Sequence, residues 1–388
     1  MTTVAARAGT TPWLVVGQGA AALAAGMGVG RFVYTPILPL MHAQAGLSAQ
    51  FGATLATANY VGYLVGALAG SFVPGLLRST VVFRGSLVVL VATLALMPVT
   101  LDGTAWFVLR LVAGVASALI FVIAASALLH HLRGQAHHLT GWAIGGVGAG
   151  IALSGVLVLI LRSVSTWQAA WWSSAALALV LAVAAWSMRP AASVGVDAVA
   201  GSRSTRRWFA WLFTSYSLEG VGYIISGTFL VAAIDQSGPA WLGSGAWVLV
   251  GLAALPSAAL WAWLSHRWSR PDMLLVALVV QAVGVALPAL FGGVAPALLS
   301  AFLFGGTFLG IAAIALAIGT DLRVPRAVAL LTAGYGVGQI VGPLIVTPLV
   351  RNGYHEALLL GAAIVVASAV AAAALRVRFP HQYTGEVA

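Results

Sequence analysis

The sequence contains no cysteine and no lysine, and only 7% of its 388 residues are charged. Without cysteine, a disulfide framework and a thiolate metal site are both excluded. A soluble domain carries about 25% charged residues. The few charges of this chain could not make the surface of a particle of this size soluble in water. With 61% hydrophobic residues and a mean hydropathy of +1.03, the chain is also unlike a disordered protein. These absences predict a protein that lies in a lipid bilayer.

All 18 basic residues are Arg, and they give the chain a net charge of +10. Such a charge is compatible with nucleic-acid binding, but the Arg residues occur one to four at a time in gaps between apolar runs. Arg confined to such gaps is typical of membrane loops. We therefore expect no nucleic acid among the partners.

Twelve apolar segments are long enough to cross a bilayer as helices, which requires about 20 residues each. Backbone groups in lipid must be hydrogen-bonded within the segment, and the segments lack the alternation of β-barrel strands. The first contains Arg31 and is too long for a signal-peptide core, so we predict a retained span. The predicted spans are residues 13–41, 51–73, 79–99, 104–129, 138–161, 168–188, 208–234, 240–264, 271–292, 294–318, 326–350 and 355–377.

The longest polar stretch leaves six predicted spans on each side. We predict an N-terminal six-helix bundle (1–188), a cytoplasmic linker (189–207) and a C-terminal six-helix bundle (208–388). With the N-terminus in the cytoplasm, fourteen Arg residues fall on the cytoplasmic side and only Arg162 and Arg351 fall on the other. This bias follows the positive-inside rule, so we expect both termini in the cytoplasm and a multi-pass protein of the bacterial inner membrane.

The two predicted bundles share a glycine pattern. Glycines at a spacing of four allow helices to approach closely in lipid, and the fifth span of each bundle carries such a run. Because the matching spans have the same position in each bundle, the two bundles are predicted to be parallel repeats. The predicted fold class is therefore an all-α membrane protein of twelve transmembrane helices in two pseudo-symmetric six-helix bundles. A shift of 188 residues aligns Gly146 with Gly334, Gly148 with Gly336 and Gly150 with Gly338.

Three ionisable residues lie well inside predicted spans: Arg31, Arg110 and Glu219. A charge at the bilayer centre costs about 2.5–3.5 kcal/mol, so these side chains should face protein or a water-filled cavity. One interpretation is a buried ion pair that only fixes helix packing, and Arg110, near a span end, suits it best. The other interpretation is a polar site between helices.

Polar aromatic side chains on the neighbouring helical faces favour the polar site. Residues three or four apart share a helical face, which places Tyr216 and Tyr223 beside Glu219 and Tyr34 beside Arg31. Taken alone, each Tyr could equally belong to an interfacial belt. The candidate substrate-binding residues are Arg31, Tyr34, Asn59, Tyr63, Arg110, Tyr216, Tyr223, Tyr335 and Gln339, with Glu219 as the candidate proton carrier.

Four segments carry short motifs: 110–118 (R-x-x-x-G-x-x-x-A), 334–343 (glycines at spacing four, then proline), 167–172 (similar to W-R-x-x-F) and 264–270 (L-x-D-R-x-G-R, with His266 at the Asp position). By these motifs the chain resembles the major facilitator superfamily of transporters. Segments 26–39 and 219–229 resemble its YbfB/YjiJ-type branch in particular. The loop after the second predicted span lacks the Asp and Arg of the superfamily motif. The resemblance implies a monomer in which spans 1, 4, 7 and 10 line a central cavity and the two bundles rock about it.

We therefore expect a secondary active transporter, not an enzyme, with a small solute and protons as partners and with no cofactor or metal. Burial favours the neutral form of a carboxyl group and a nearby Arg favours the charged form, so a changing Arg31–Glu219 distance could load and release a proton. Two Arg residues inside the first bundle favour a carboxylate-bearing organic anion.

Alternative functions stay open at this point. One is proton-driven efflux of amphipathic drugs or metabolites, and another is a non-transporting receptor or scaffold. A metal enzyme would need more His clusters than the single one formed by His130, His131, His137 and His138.

Overall fold

The computed structural model describes residues 11–132, 137–191, 205–239, 241–265, 267–351, 353–377 and 379. Both chain ends, residues 192–204 of the predicted linker, Arg133 and His266 lie outside the described residues, as do the side chains of His137 and His138. Twelve long helices, one for each predicted span, occur in the described part of the chain. They are α1 (Pro12–Ala45), α2 (Ala49–Phe72), α3 (Thr80–Val99), α4 (Gly103–His131), α5 (Leu139–Leu161), α6 (Trp167–Ala185), α7 (Thr205–Ser237), α8 (Leu242–Leu264), α9 (Arg270–Leu290), α10 (Val294–Asp321), α11 (Ala327–Val346) and α12 (His355–Arg376).

Eleven of these helices are long and apolar enough to cross a membrane. The other helix is α2, which has 24 residues and no charged side chain. Its Asn59, Tyr60, Tyr63 and Thr side chains lower its hydropathy, although it packs along α4 and α11. That α2 also crosses the bilayer stays a prediction.

The first six helices and the last six repeat one packing pattern. In the first set, α1 packs on α5, α2 on α4, and α3 on both α4 and α6. In the second set, α7 packs on α11, α8 on α10, and α9 on both α10 and α12. The aligned glycines also have equivalent neighbours. Gly146 and Gly150 face α1 as Gly334 and Gly338 face α7, whereas Gly148 and Gly336 each face a helix of the opposite set.

Helix α1 is interrupted in its middle. Residues Ala24–Val29 form a π-helical turn, and residues 30–33 form a further turn before the α-helix resumes at Tyr34. Glycine lowers helix propensity here, and Gly28 lies so close to α5 that a Cβ on it would be 2.5 Å from the Cα of Gly150. Arg31 therefore lies in an irregular segment and not on the regular helical face that its spacing predicts.

The two sets of helices meet along two seams, α5 against α8 and α2 against α11. Backbone contacts backbone along the α5–α8 seam. A Cβ on Gly251 would lie 2.2 Å from the Ala152 amide nitrogen, and one on Gly148 would lie 2.4 Å from the Leu255 amide nitrogen. The small residues therefore set the distance between the two sets.

Side chains join the two sets at the end of the bundle where α1 ends, which we call the Gly46 end. Arg162, at the end of α5, forms an ion pair with Asp235 of α7 at 3.3 Å and donates to Ser244 of α8 at 3.1 Å. The Tyr354 hydroxyl lies 2.9 Å from His42 Nε2. These contacts hold the Gly46 end closed in this structure.

Loss of the Arg162–Asp235 pair should open the Gly46 end more often. Because a partly exposed ion pair contributes up to about 1 kcal/mol, Asp235→Asn should raise the open population by up to about fivefold. The readout is the maleimide labelling rate of Thr228→Cys, since Thr228 is buried beside Tyr60 and the chain has no cysteine of its own.

The matched control is Asp102→Asn, which removes a carboxylate at the same end without touching the second set. Asp102 caps α4 by accepting from the Ala105 amide at 2.8 Å. Equal labelling rates in the two carboxylate variants would show that the Arg162–Asp235 pair does not hold this end closed.

Candidate substrate and proton site

The Arg31 guanidinium lies where the two sets of helices meet and is 2% exposed. Its Nη2 donates to Gln339 Oε1 of α11 at 2.6 Å. Its central carbon lies 4.3 Å and 4.9 Å from the ring centroids of Tyr63 and Tyr60 of α2, as in cation–π contacts. Within the described residues, Nε and Nη1 have no hydrogen-bond partner. Nη2 carries two N–H groups, and Gln339 accepts from one of them. The other N–H of Nη2, together with a neighbouring free N–H of the guanidinium, forms a donor pair that fits a carboxylate.

Arg110 of α4 supports the interrupted backbone of α1. Its guanidinium carbon lies 4.7 Å from the Tyr34 ring centroid, and its two Nη atoms lie 3.5 Å from the carbonyl oxygens of Gly30 and Arg31. Asn59 of α2 donates to the Arg110 carbonyl oxygen at 3.0 Å. These contacts favour the packing interpretation for Arg110, because its donors point at backbone that the interruption leaves without helical partners.

Aromatic rings from three helices of the second set form a stack. Tyr335 of α11 lies between Tyr216 and Tyr223 of α7, with ring centroids 4.4 Å and 5.5 Å apart and interplanar angles of 15° and 17°. Tyr223 continues the stack onto Phe304 and Phe308 of α10 at 6.1 Å and 5.9 Å. Stacking fixes the orientation of the tyrosine rings and therefore the positions of their hydroxyl groups.

Glu219 of α7 is 1% exposed and lies on the helical face between Tyr216 and Tyr223. The groups beside its carboxyl group are the Gln281 amide of α9 and the Tyr335 hydroxyl. Neither carboxyl oxygen closes a well-aligned hydrogen bond within the described residues, and both polar atoms of the fully buried Gln281 are also unpaired. Unpaired polar groups are costly in lipid, so this carboxyl–amide pair is a candidate for reversible proton binding.

Arg31 and Glu219 do not form an ion pair. Among the ion pairs of the described residues, none within 4.0 Å joins these two side chains. Gln339, Tyr223 and Tyr335 lie between them, and Gln339 Nε2 donates to the Tyr223 hydroxyl at 3.2 Å. The direct approach of the two charges that the sequence suggests is therefore not seen in this structure, because polar and aromatic side chains separate them.

Two residues of this site are absent from the sequence-based candidates. Tyr60 contacts Arg31, and Gln281 lies beside Glu219. Gln281 could have been found, because it is the amide near the middle of an otherwise apolar predicted span. Tyr60 gives no such signal, because aromatic residues are frequent in these helices.

Two of the predicted residues, Asn59 and Tyr34, bond to backbone. Asn59 holds α2 on α4, and the Tyr34 hydroxyl donates to the Gly52 carbonyl at 2.9 Å. In the part of the chain that the structure describes, no three His, Asp or Glu side chains lie together as a metal site requires.

The arrangement of these helices is found in solved transporters. Two crystal structures of the nucleoside transporter NupG, one of a mutant form, match with a TM-score of 0.68 and 16% identity. The mutant structure matches over 93% of this chain and 100% of its own, and the other over 94% and 99%. At this identity the likeness shows the fold alone. A search of curated proteins finds no match.

The family profile described as "Uncharacterised MFS-type transporter YbfB" matches residues 23–373. The chain therefore belongs to this family, a branch of the major facilitator superfamily, and the resemblance seen in its sequence is confirmed. It is a multi-pass membrane protein and a transporter, not an enzyme.

Proposed function

We propose that this protein is a proton-coupled secondary transporter that moves a small carboxylate-bearing organic anion across the bacterial inner membrane by alternating access. In this proposal all twelve helices span the bilayer, both termini face the cytoplasm and the Gly46 end faces outward. Residues 1–188 and 208–388 rock against each other as two bundles of one monomer. The Arg distribution supports the orientation, since only Arg162 and Arg351 lie at the Gly46 end among the Arg residues that the structure describes outside the helices.

The observation that carries the substrate class is the environment of Arg31. A buried guanidinium is unfavourable in lipid without a counter-charge, and no carboxylate of the described residues pairs with it. A substrate carboxylate on its free donor pair supplies that charge. Because Gln339 belongs to the opposite set, rocking of the two sets changes the hydrogen bond on the other edge of the guanidinium.

Glu219 supports the coupling to protons. It is buried in α7, beside an amide and a tyrosine hydroxyl, and has no cationic partner within 4.0 Å in the described residues. A carboxyl group in such a place exchanges its proton when the surrounding donors or the access to water change. Transport driven by a proton gradient needs one such group.

The aromatic stack favours a second candidate, a neutral solute with a planar ring. Five rings lie within 6.1 Å of the next along the stack, and a planar ligand gains from contact with such faces. NupG, which shares the fold, is a nucleoside transporter, so nucleosides are the natural test of this candidate.

A thermal-shift screen of the purified protein separates the two candidates. Organic acids, amino acids, nucleosides and drugs are tested at two pH values on the wild-type protein and on Arg31→Lys. We expect a carboxylate to raise the melting temperature of the wild type but not of Arg31→Lys, because Lys keeps the charge and loses the planar donor pair.

The control for this screen is Arg84→Lys. Arg84 is a half-buried Arg of α3 that also contacts an aromatic ring, that of Trp186 at 5.1 Å. Its shifts should match those of the wild type. Stabilisation by nucleosides alone, equal in all three proteins, would replace the anion proposal by the second candidate.

A further inference from the structure

We propose that Gln339, Tyr223 and Tyr335 form a hydrogen-bond relay that couples an anion at Arg31 to the proton on Glu219, so that the two are bound and released together. This inference rests on the proposed function, because it names the link between its two sites. It also assigns a direction of coupling, that of a symporter.

The first links of the relay are closed in this structure. Arg31 Nη2 donates to Gln339 Oε1 at 2.6 Å, and Gln339 Nε2 donates to the Tyr223 hydroxyl at 3.2 Å. Arg31, Gln339 and Tyr223 are all at most 2% exposed, so water does not compete for these bonds. Hydrogen bonds in such surroundings polarise one another.

The last links depend on the position of Tyr335. Its ring lies between the rings of Tyr216 and Tyr223, and Glu219 occupies the position between these two residues on α7. The Tyr335 hydroxyl consequently faces both the Tyr223 hydroxyl and the Glu219 carboxyl group. Neither the Tyr223–Tyr335 link nor the Tyr335–Glu219 link is a closed hydrogen bond among the described residues, so both close only when these hydroxyl groups and the carboxyl group reorient.

The chemistry of the two ends fixes the direction of the relay. Arg31 can only donate, so Gln339 must accept on its oxygen and donate through its nitrogen. Tyr223 then accepts from Gln339 and has its proton free for Tyr335, whose own proton is free for Glu219. Every donor therefore points away from Arg31 and towards a charged, acceptor-only carboxylate.

The consequence for coupling follows from this direction. When a substrate carboxylate occupies the free donor pair of Arg31, it neutralises the guanidinium charge that polarises the bond to Gln339, and the relay weakens. Donation to Glu219 weakens with it, and the carboxyl group gains affinity for a proton. Reciprocity requires that a proton on Glu219 favours the substrate at Arg31 to the same extent.

The relay can be tested without a substrate, by infrared titration of the Glu219 carboxyl band in the purified full-length protein. Glu219→Gln identifies the band by removing it. Tyr335→Phe should raise the titration midpoint by about one pH unit, which is about tenfold in proton affinity, because a direct hydrogen bond to the carboxylate is lost. Gln339→Leu and Tyr223→Phe should raise it in the same direction by about half as much, although neither residue bonds to Glu219.

The matched control is Ser215→Ala, which deletes a buried hydroxyl group of α7 that bonds to Ser368, outside the relay. Its midpoint should stay at the wild-type value. Tyr223→Phe keeps the stacked ring, so it provides the decisive result if Gln339→Leu does not fold. Midpoints of Tyr223→Phe and Tyr335→Phe equal to that of Ser215→Ala would overturn the relay. Such a result would not contradict the proposed function, because proton-coupled transport is tested separately by uptake measurements.

Discussion

Glu219→Gln should abolish accumulation of the substrate in proteoliposomes when a pH gradient is the driving force, while exchange of substrate across the membrane continues. Gln has nearly the shape of a protonated Glu and cannot release a proton, so the site is held in its neutral form. Arg31 keeps its substrate contact in this variant, because Arg31 and Glu219 are not paired and Gln imitates the protonated state in which the relay favours the substrate. The measurement is uptake of the ligand that stabilises the wild type most, with and without an imposed pH gradient.

Glu356→Gln is the matched control for this experiment. Glu356 is an exposed carboxylate in the first turn of α12, and its neutralisation should leave gradient-driven uptake unchanged. If Glu219→Gln accumulates substrate as well as Glu356→Gln does, Glu219 is not the proton carrier. The anion site at Arg31 would then still be judged by the thermal-shift screen.

Gly251→Ala should damage both stability and transport, because it acts on the backbone contact between the two sets of helices. The added Cβ would lie 2.2 Å from the Ala152 nitrogen and 2.7 Å from the Gly148 oxygen, so α8 must move away from α5. Overpacking of this kind costs about 1–3 kcal/mol. We expect a melting temperature lower by several degrees and uptake reduced by about fivefold or more, since 1.4 kcal/mol corresponds to a factor of ten.

The control is Gly85→Ala in α3, where nothing lies within 4 Å of the added Cβ. Ala favours a helix over Gly by up to about 1 kcal/mol, so this variant should be as stable as the wild type or more so. Both variants are compared by melting temperature and by uptake in proteoliposomes. If the two behave alike, the α5–α8 seam tolerates separation and does not set the distance between the two sets.

The positions of the helices could be predicted from the sequence because lipid leaves few choices. Each apolar run of about 20 residues must satisfy its backbone internally, and this produces a helix wherever such a run occurs. The repeat was visible for a related reason. A glycine at a backbone contact cannot be replaced without separating the two helices. Gly146 and Gly334 therefore mark equivalent packing positions in the two sets.

The interruption of α1 could not be predicted from spacing. Gly26, Gly28 and Gly30 weaken the helix, but a similar glycine run in α11 stays helical. The difference comes from partners in three dimensions. Ser117 donates to the Gly26 carbonyl at 2.7 Å, and Arg110 faces the carbonyls of Gly30 and Arg31. These contacts satisfy the backbone that leaves the helix.

The sequence by itself determined that this chain lies in a membrane, that it contains two related sets of helices and that Arg31, Arg110 and Glu219 are its unusual residues. These properties follow from composition and from short spacings. The lipid environment acts on each segment of the chain in the same way whatever the rest of the fold is. Only the tertiary structure decided what each charge faces: Arg31 the Gln339 amide, Arg110 the backbone of α1, and Glu219 the Gln281 amide and Tyr335. The partner of a side chain depends on helices that are distant in sequence, and a local sequence pattern contains no information about such contacts.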